Sequence, residues 1–195
     1  TIFEDRDINM LDKVLNGVLD IAIVESYAYH PSLHYLRLPS EQYMFITSCE
    51  NPRMAAYRDA ACSPEAPLDI DADWLADDLF ICPSVKGRMN RQTQRMCSTY
   101  NFQPKRTLFL ASGITAYRMA VSGMGLTFQN AAYSTFVKTK ERPLFIMPGG
   151  KATQHHVFAL FKGEPKPGLQ QDFMRLLHDR MSIAIYGKVT PMEYM

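Results

Sequence analysis

The sequence predicts an α/β fold, and three observations predict it. Apolar residues switch repeatedly between continuous strand-like runs and recurrences at helical spacing, the alternation expected of layered strands and helices. Residues 19–24 form a run of small and branched apolar side chains around Asp20, the texture of a strand buried on both faces of a parallel sheet. A chain of 195 residues, 47% hydrophobic, also suffices for one domain or two small lobes whose core needs no covalent staples.

The elements follow in order. Thr1-Ile2-Phe3-Glu4 reads as a short strand. Ile8, Leu11, Val14 and Leu15 then recur at helical spacing, and Gly17 sits where that helix stops. With residues 19–24 this makes a strand–helix–parallel-strand unit of the usual right hand. Residues 33–38 and 43–47 are two further extended runs parted by Pro39-Ser40-Glu41. Prolines 52, 64 and 67 mark residues 50–73 as loop-like, with a short helix near Met54-Ala55-Ala56-Tyr57. Leu79-Phe80-Ile81-Cys82 is a buried strand stopped by Pro83, and a polar helix runs from about Met89 to Tyr100. Residues 107–111 form the next strand. Ser112 caps a helix whose Ile114, Tyr117 and Val121 face the core, and Gly123-Met124-Gly125 ends it. Leu126-Thr127-Phe128 is a strand, and Asn130 caps a short helix through Phe136. Strands at 144–147 and 157–161 flank Pro148-Gly149-Gly150, and Leu169, Phe173, Leu176 and Leu177 mark a final amphipathic helix beginning near Pro167.

These segments divide into two Rossmann-like lobes. Residues 1–39 with 155–195 make lobe I, and residues 40–154 make lobe II, an insertion with its own strand–helix alternation. Two crossover segments join them, an arrangement that allows hinge closure over a ligand in a central cleft.

Composition narrows the function. A net charge of +1 argues against a nucleic-acid surface on this piece, which would carry a basic excess. The longest aliphatic stretch, Ile21-Ala22-Ile23-Val24, falls far short of the roughly 20 residues of a membrane helix. Glu4, Asp5, Arg6 and Asp7 follow the start at once, unlike a signal peptide, and the first residue is Thr1, which points to a fragment of a longer protein. The four cysteines, Cys49, Cys62, Cys82 and Cys97, are nowhere closer than 13 positions, so there is no C-x-x-C pair for zinc or redox chemistry. Reduced, mostly buried thiols in a cytoplasmic protein are expected.

Four stretches then suggest a family. Residues 15–23, Leu-Asn-Gly-Val-Leu-Asp-Ile-Ala-Ile, resemble the "helix, Gly, x, Leu-Asp, hydrophobic strand" signature of LysR-type transcriptional regulators. Asn51-Pro52-Arg53-Met54-Ala55 resembles that family's His-Pro-Leu-Ala turn, with Asn51 in place of His. Trp74-Leu75-Ala76-Asp77-Asp78-Leu79-Phe80-Ile81 is similar to its approach to the first strand of the inserted lobe. Residues 120–128, Ala-Val-Ser-Gly-Met-Gly-Leu-Thr-Phe, resemble its Val-x-x-Gly-x-Gly-Ile element, with Gln129-Asn130 where Leu-Pro is usual. The order and spacing of these matches along nearly the whole chain carry the resemblance. It implies a two-lobed effector-binding domain like a type II periplasmic binding protein, without the family's DNA-binding domain and without the first strand and helix of the effector domain. It also implies a small-molecule effector as ligand, no cofactor, self-association as a dimer or tetramer, and contact with DNA only through the absent N-terminal domain.

Carried over position by position, the resemblance implies a ligand site lined by Glu25 and Ser26, by Pro83, Ser84 and Val85, by Ser112 and Gly113, and by Gln129. All follow strands, where ligands of open α/β sheets collect. Ser112 also heads a helix, whose free N–H groups suit an anionic group. A plain N-cap explains Ser112 equally well, and a strand terminator explains Pro83. Glu25 favours a polar or cationic effector. Lys86, Arg88 and Arg91 form a basic cluster beside Pro83, readable as a solvated helix start or as a mouth that draws in acidic metabolites. His155 and His156, adjacent on a strand, point to opposite faces and cannot chelate a metal together. Met89, Met96 and Met119 at helical positions read as core. There is no G-x-S-x-G elbow and no phosphate-binding loop, and His30, His34 and His178 have no sequence partner marking a triad, so no enzymatic role is expected. A solute-binding protein of the same architecture is the alternative reading, and an enzyme on a related scaffold is a third.

Overall fold

The structure, a computed structural model, describes residues 2–3, 7–25, 30–83, 88–150, 153–163, 167–186 and 188–194. The chain separates into two compact units, Thr1–Glu41 with Gln154–Met195 and the intervening Gln42–Thr153.

In the first unit, α1 (Asp7–Leu15) ends as Gly17 takes a φ of 69°, its N–H donating to Val14 O while Val18 N–H reaches back to Lys13 O. The chain then enters β1 (Ala22–Val24), and the long strand β2 (Leu33–Ser48) follows. Strand β7 (Thr153–Lys162) lies between β1 and β2, and the two-residue β8 (Glu193–Tyr194) pairs antiparallel with Leu36 and Arg37 of β2. Strand alternation supplies two cores from one sheet. Leu33, Tyr35, Phe158 and Leu160 pack with Met10 and Val14 of α1. Leu36, Leu38, Val157, Ala159 and Phe161 pack with Met174 of α6 (Leu169–Tyr186) on the other face.

Three sequence expectations are corrected here. Ile2 and Phe3 lie in no strand, and Thr1 and Glu4 fall outside the described residues. Strand β1 is not parallel to a preceding strand: it pairs antiparallel with β7, Ile23 opposite Ala159. The reason is visible in its burial, since Ala22 and Val24 are buried while Ile23 is 41% exposed, so the apolar run covers one face rather than two. The two runs parted by Pro39-Ser40-Glu41 are also one strand, β2. Strand β2 runs straight through Pro39, which falls between Arg37, paired with β8, and Tyr43, paired with Asn130.

The second unit takes the end of β2 as a central strand, with β5 (Thr127–Asn130) and β6 (Pro143–Ile146) antiparallel on its two sides. Beyond β5, Ile81 N–H donates to Leu126 O and Leu126 N–H to Leu79 O, which brings in β3 (Leu79–Pro83) parallel to β5, and β4 (Arg106–Leu110) pairs parallel with β3. Helices α2 (Ala72–Ala76), α3 (Arg88–Thr99), α4 (Gly113–Met119) and α5 (Tyr133–Phe136) complete the unit. Phe45 sits at its centre, its ring centroid 5.0 Å from that of Phe128, 5.8 Å from Phe80 and 5.9 Å from Phe102.

The turn after α4 runs through a π-helical stretch, Ala120–Met124, in which Gly123 has a φ of 90° and a side chain would press on the Glu50 backbone. That close approach is why the Gly-Met-Gly element tolerates nothing larger. Beneath it lies a buried polar network. Asn51 Nδ2 donates to Asp78 Oδ2 at 2.6 Å and to Thr47 Oγ1 at 3.3 Å, Thr47 Oγ1 donates to Gly125 O at 2.7 Å, and Leu79 N–H donates to Asp78 Oδ1 at 2.7 Å. Asn51 thus caps the 3-10 turn Pro52–Tyr57 and ties that turn to the residue before β3. All four cysteines are free thiols, three of them buried. Among the described residues no helix is long and apolar enough to cross a membrane.

Candidate functional site

In the second unit three strands point their carboxyl ends the same way. Pro83 ends β3 and is buried, with Leu110 at the end of β4 as its Cα partner, and β5 runs parallel beside β3 to Gln129 and Asn130. Ligands of α/β sheets gather at such an edge. Ser112 leaves β4 in an extended conformation (φ −114°) and caps α4: its Oγ accepts from Thr115 N–H at 3.3 Å and its carbonyl from Ala116 N–H at 3.0 Å. The N–H groups of Gly113 and Ile114 precede that first helical bond, so the helix does not use them.

Gln129 is 1% exposed, and its Nε2 donates to Gly113 O at 3.3 Å, joining the end of β5 to the first residue of α4. Gly113 lacks a side chain where one would be crowded: a Cβ there would stand 2.9 Å from Tyr133 Oη and 3.3 Å from Gln129 Nε2, so the side-chain ends of Tyr133 and Gln129 pack directly against it. One turn into α4, Tyr117 is fully buried, its ring centroid 5.7 Å from that of Tyr133. The Tyr117 hydroxyl has no hydrogen-bond partner among the described residues, and burial pushes its pKa up to about 12, which keeps it a proton donor. An unpaired buried hydroxyl is costly.

The structure therefore brings Ser112, Gly113 and Gln129 together, with Pro83 at the same sheet edge. Ser26, Ser84 and Val85 fall outside the described residues, as does Lys86 of the basic cluster. Glu25 belongs to the first unit, where its Oε2 lies 3.3 Å from His155 Nδ1, both side chains largely buried. His156, its neighbour on β7, turns the other way: its Nδ1 accepts from Arg37 Nη2 at 3.0 Å and from Ser40 Oγ at 2.8 Å. Sequence reasoning missed Tyr117 as more than core, and missed Tyr133 altogether. The one signal pointing to Tyr117 was its place one turn after the cap at Ser112.

Comparison with known proteins follows the same lines. A family model described as the LysR substrate binding domain matches residues 1–182. The chain is similar to the effector-binding domain of BenM solved with its effector benzoate, at a TM-score of 0.67 and 14% identity, covering 97% of this chain and 80% of that one. It is also similar to the effector-binding domain of QuiR in complex with shikimate, at a TM-score of 0.59 and 12% identity, covering 92% and 79%. Full-length CbnR complexed with its target DNA is similar at a TM-score of 0.64 and 12% identity, covering 93% of this chain and 59% of CbnR. These likenesses carry the fold. Among curated proteins, none matches the chain.

Proposed function

The chain belongs to the LysR substrate-binding domain family, and on that premise we propose that it is the sensing part of a LysR-type transcriptional regulator, holding a small-molecule effector at the carboxyl ends of β3, β4 and β5. Family membership favours this reading over a free solute-binding protein. The observation that carries it is the meeting of Ser112, Gly113 and Gln129 at the carboxyl ends of these strands. Ser112 offers a hydroxyl, Gln129 a side-chain amide, and the turn into α4 its leading N–H groups. Such a set suits a ligand rich in oxygen, a carboxylate or a polyol, and it performs no bond-breaking step. The domain boundaries of this reading are lobe I at 1–39 and 155–195 and lobe II at 40–154, with Glu25, Ser26, Pro83, Ser84 and Val85 adding to the ligand contacts from their strand ends.

An effector changes transcription only by binding two arrangements of the protein with different affinity. In this reading those arrangements differ in how the lobes close and how subunits of a cytoplasmic dimer or tetramer meet, and the signal reaches DNA through a separate N-terminal domain. A thermal-shift screen of metabolites identifies the effector, because a ligand that binds the folded state raises its melting temperature. Ser112→Ala then weakens both that shift and the response of a full-length reporter, while the melting temperature without ligand stays close to wild type. An unchanged response removes Ser112 from the site. A strictly monomeric full-length protein at high concentration would refute the assembly.

A further inference from the structure

The first unit holds a pocket of about 280 Å³ that the effector site does not use. Its walls come from three places: Arg37 and Ser40 on β2, His178 on α6, and Thr190 and Glu193 on the C-terminal segment. Leu38 and Pro191 supply apolar surface. The C-terminal segment is held in place by Ser182 Oγ and Thr190 Oγ1, 2.9 Å apart, and by the pairing of Arg37 with Glu193 across β2 and β8.

The charges of this pocket are of both signs and loosely matched. Arg37 Nη1 lies 3.8 Å from Glu193 Oε2, beyond hydrogen-bond length, with side chains 37% and 67% exposed. A pair of that kind contributes little on its own, so each charge remains available to a ligand. Arg37 is already oriented, its Nη2 donating to His156 Nδ1. Burial, with Arg37 beside it, holds the His156 imidazole below its usual range, so it stays neutral and acts as an acceptor. His178 is 2% exposed, its Nδ1 without a hydrogen-bond partner among the described residues and 3.5 Å from the Asp179 carboxylate. A simple anion entering here gains Arg37 but meets Glu193, and a simple cation meets the reverse. A molecule with both charges close together satisfies the two at once.

We propose that this pocket is a second ligand site, independent of the effector site, that takes a small zwitterion of the α-amino-acid type. The carboxylate lies on Arg37, the ammonium on Glu193, and the side chain over Leu38 and Pro191. The volume, at the lower end of ligand pockets, admits a small metabolite only. Ser40 lies just before β2 passes into the second unit, so an occupant touches the strand on which that unit is built.

Isothermal titration of the chain with the common L-α-amino acids, singly, and with acetate and methylammonium as single-charge controls, tests this. At least one amino acid binds, the controls bind far more weakly, and Arg37→Gln and Glu193→Gln each weaken that binding by about tenfold or more, while Ser112→Ala leaves it intact. Both substituted side chains are partly exposed, so circular dichroism of the variants matches wild type. Failure of every amino acid to bind overturns the proposal, as does acetate binding of equal strength or binding undiminished in Arg37→Gln. Binding that Ser112→Ala abolishes belongs to the effector site and also overturns it, without touching the effector reading.

Discussion

Replacing Asp78 with alanine probes the network on which the second unit's fold depends. Asp78 is 5% exposed and accepts two short hydrogen bonds, from Asn51 Nδ2 at 2.6 Å and from Leu79 N–H at 2.7 Å. Hydrogen bonds to a charged acceptor contribute about 1.5–3 kcal/mol each. Two of them set an upper figure of about 6 kcal/mol, from which the regained desolvation of a buried carboxylate must be subtracted. Asn51 also keeps Thr47 Oγ1 as an acceptor. We expect a net loss of about 3 kcal/mol, which lowers the melting temperature by about 6–12 °C for a chain of this size. Trp74 is the sole tryptophan, lies in the second unit, and carries the Arg53 guanidinium 4.4 Å from its ring centroid, so its fluorescence in urea reads this unit. The partner substitution Asn51→Ala strips Asp78 of its side-chain donor and removes the cap on Arg53 N–H. The double variant is then less destabilised than the sum of the single ones by about 1–2 kcal/mol. Strict additivity, or an Asp78→Ala cost under about 1 kcal/mol, would refute the reasoning, because the network would then not be coupled.

Two further outcomes follow from the same structure. Gly113→Ala leaves the melting temperature within about 2 °C of wild type, since alanine suits a helix and meets only side-chain ends, but it displaces Tyr133 and Gln129 and so lowers the effector response. An unaltered response separates that space from the ligand. Cys97, whose pKa burial and then the neighbouring Cys82 push up to about 11, is thiolate in about one molecule in ten thousand at pH 7. Mass mapping after alkylation of the native protein finds it unmodified, and rapid labelling at neutral pH contradicts its burial.

Much of this architecture is written locally in the chain. Gly17, Ser112 and the Gly-Met-Gly turn each mark a boundary by a backbone requirement that other residues meet poorly, and each boundary is found within a residue or two of its place. What local pattern does not carry is partnership. The run at 19–24 shows that a strand forms but not that its neighbour is β7, over 130 positions later and antiparallel. Pro39 reads as a break because nothing nearby reveals that one strand continues through it to partners on either side of it in sequence. The same holds for the site. Ser112 and Gln129 stand out as residues that follow strands, whereas Tyr133 matters only because Gly113, twenty positions earlier, lacks a side chain.

The first unit is assembled from both ends of the chain, and the second from the stretch between them. Synthesis on the ribosome therefore completes the inserted unit first, reversing the usual amino-terminal order. Until Gln154 and its successors emerge, β1 waits without its described partner β7, and the faces of Val24 and Leu36 stay open to water and to chaperones. A nascent chain stalled near Thr153 should thus carry one finished body and one sticky, half-made sheet.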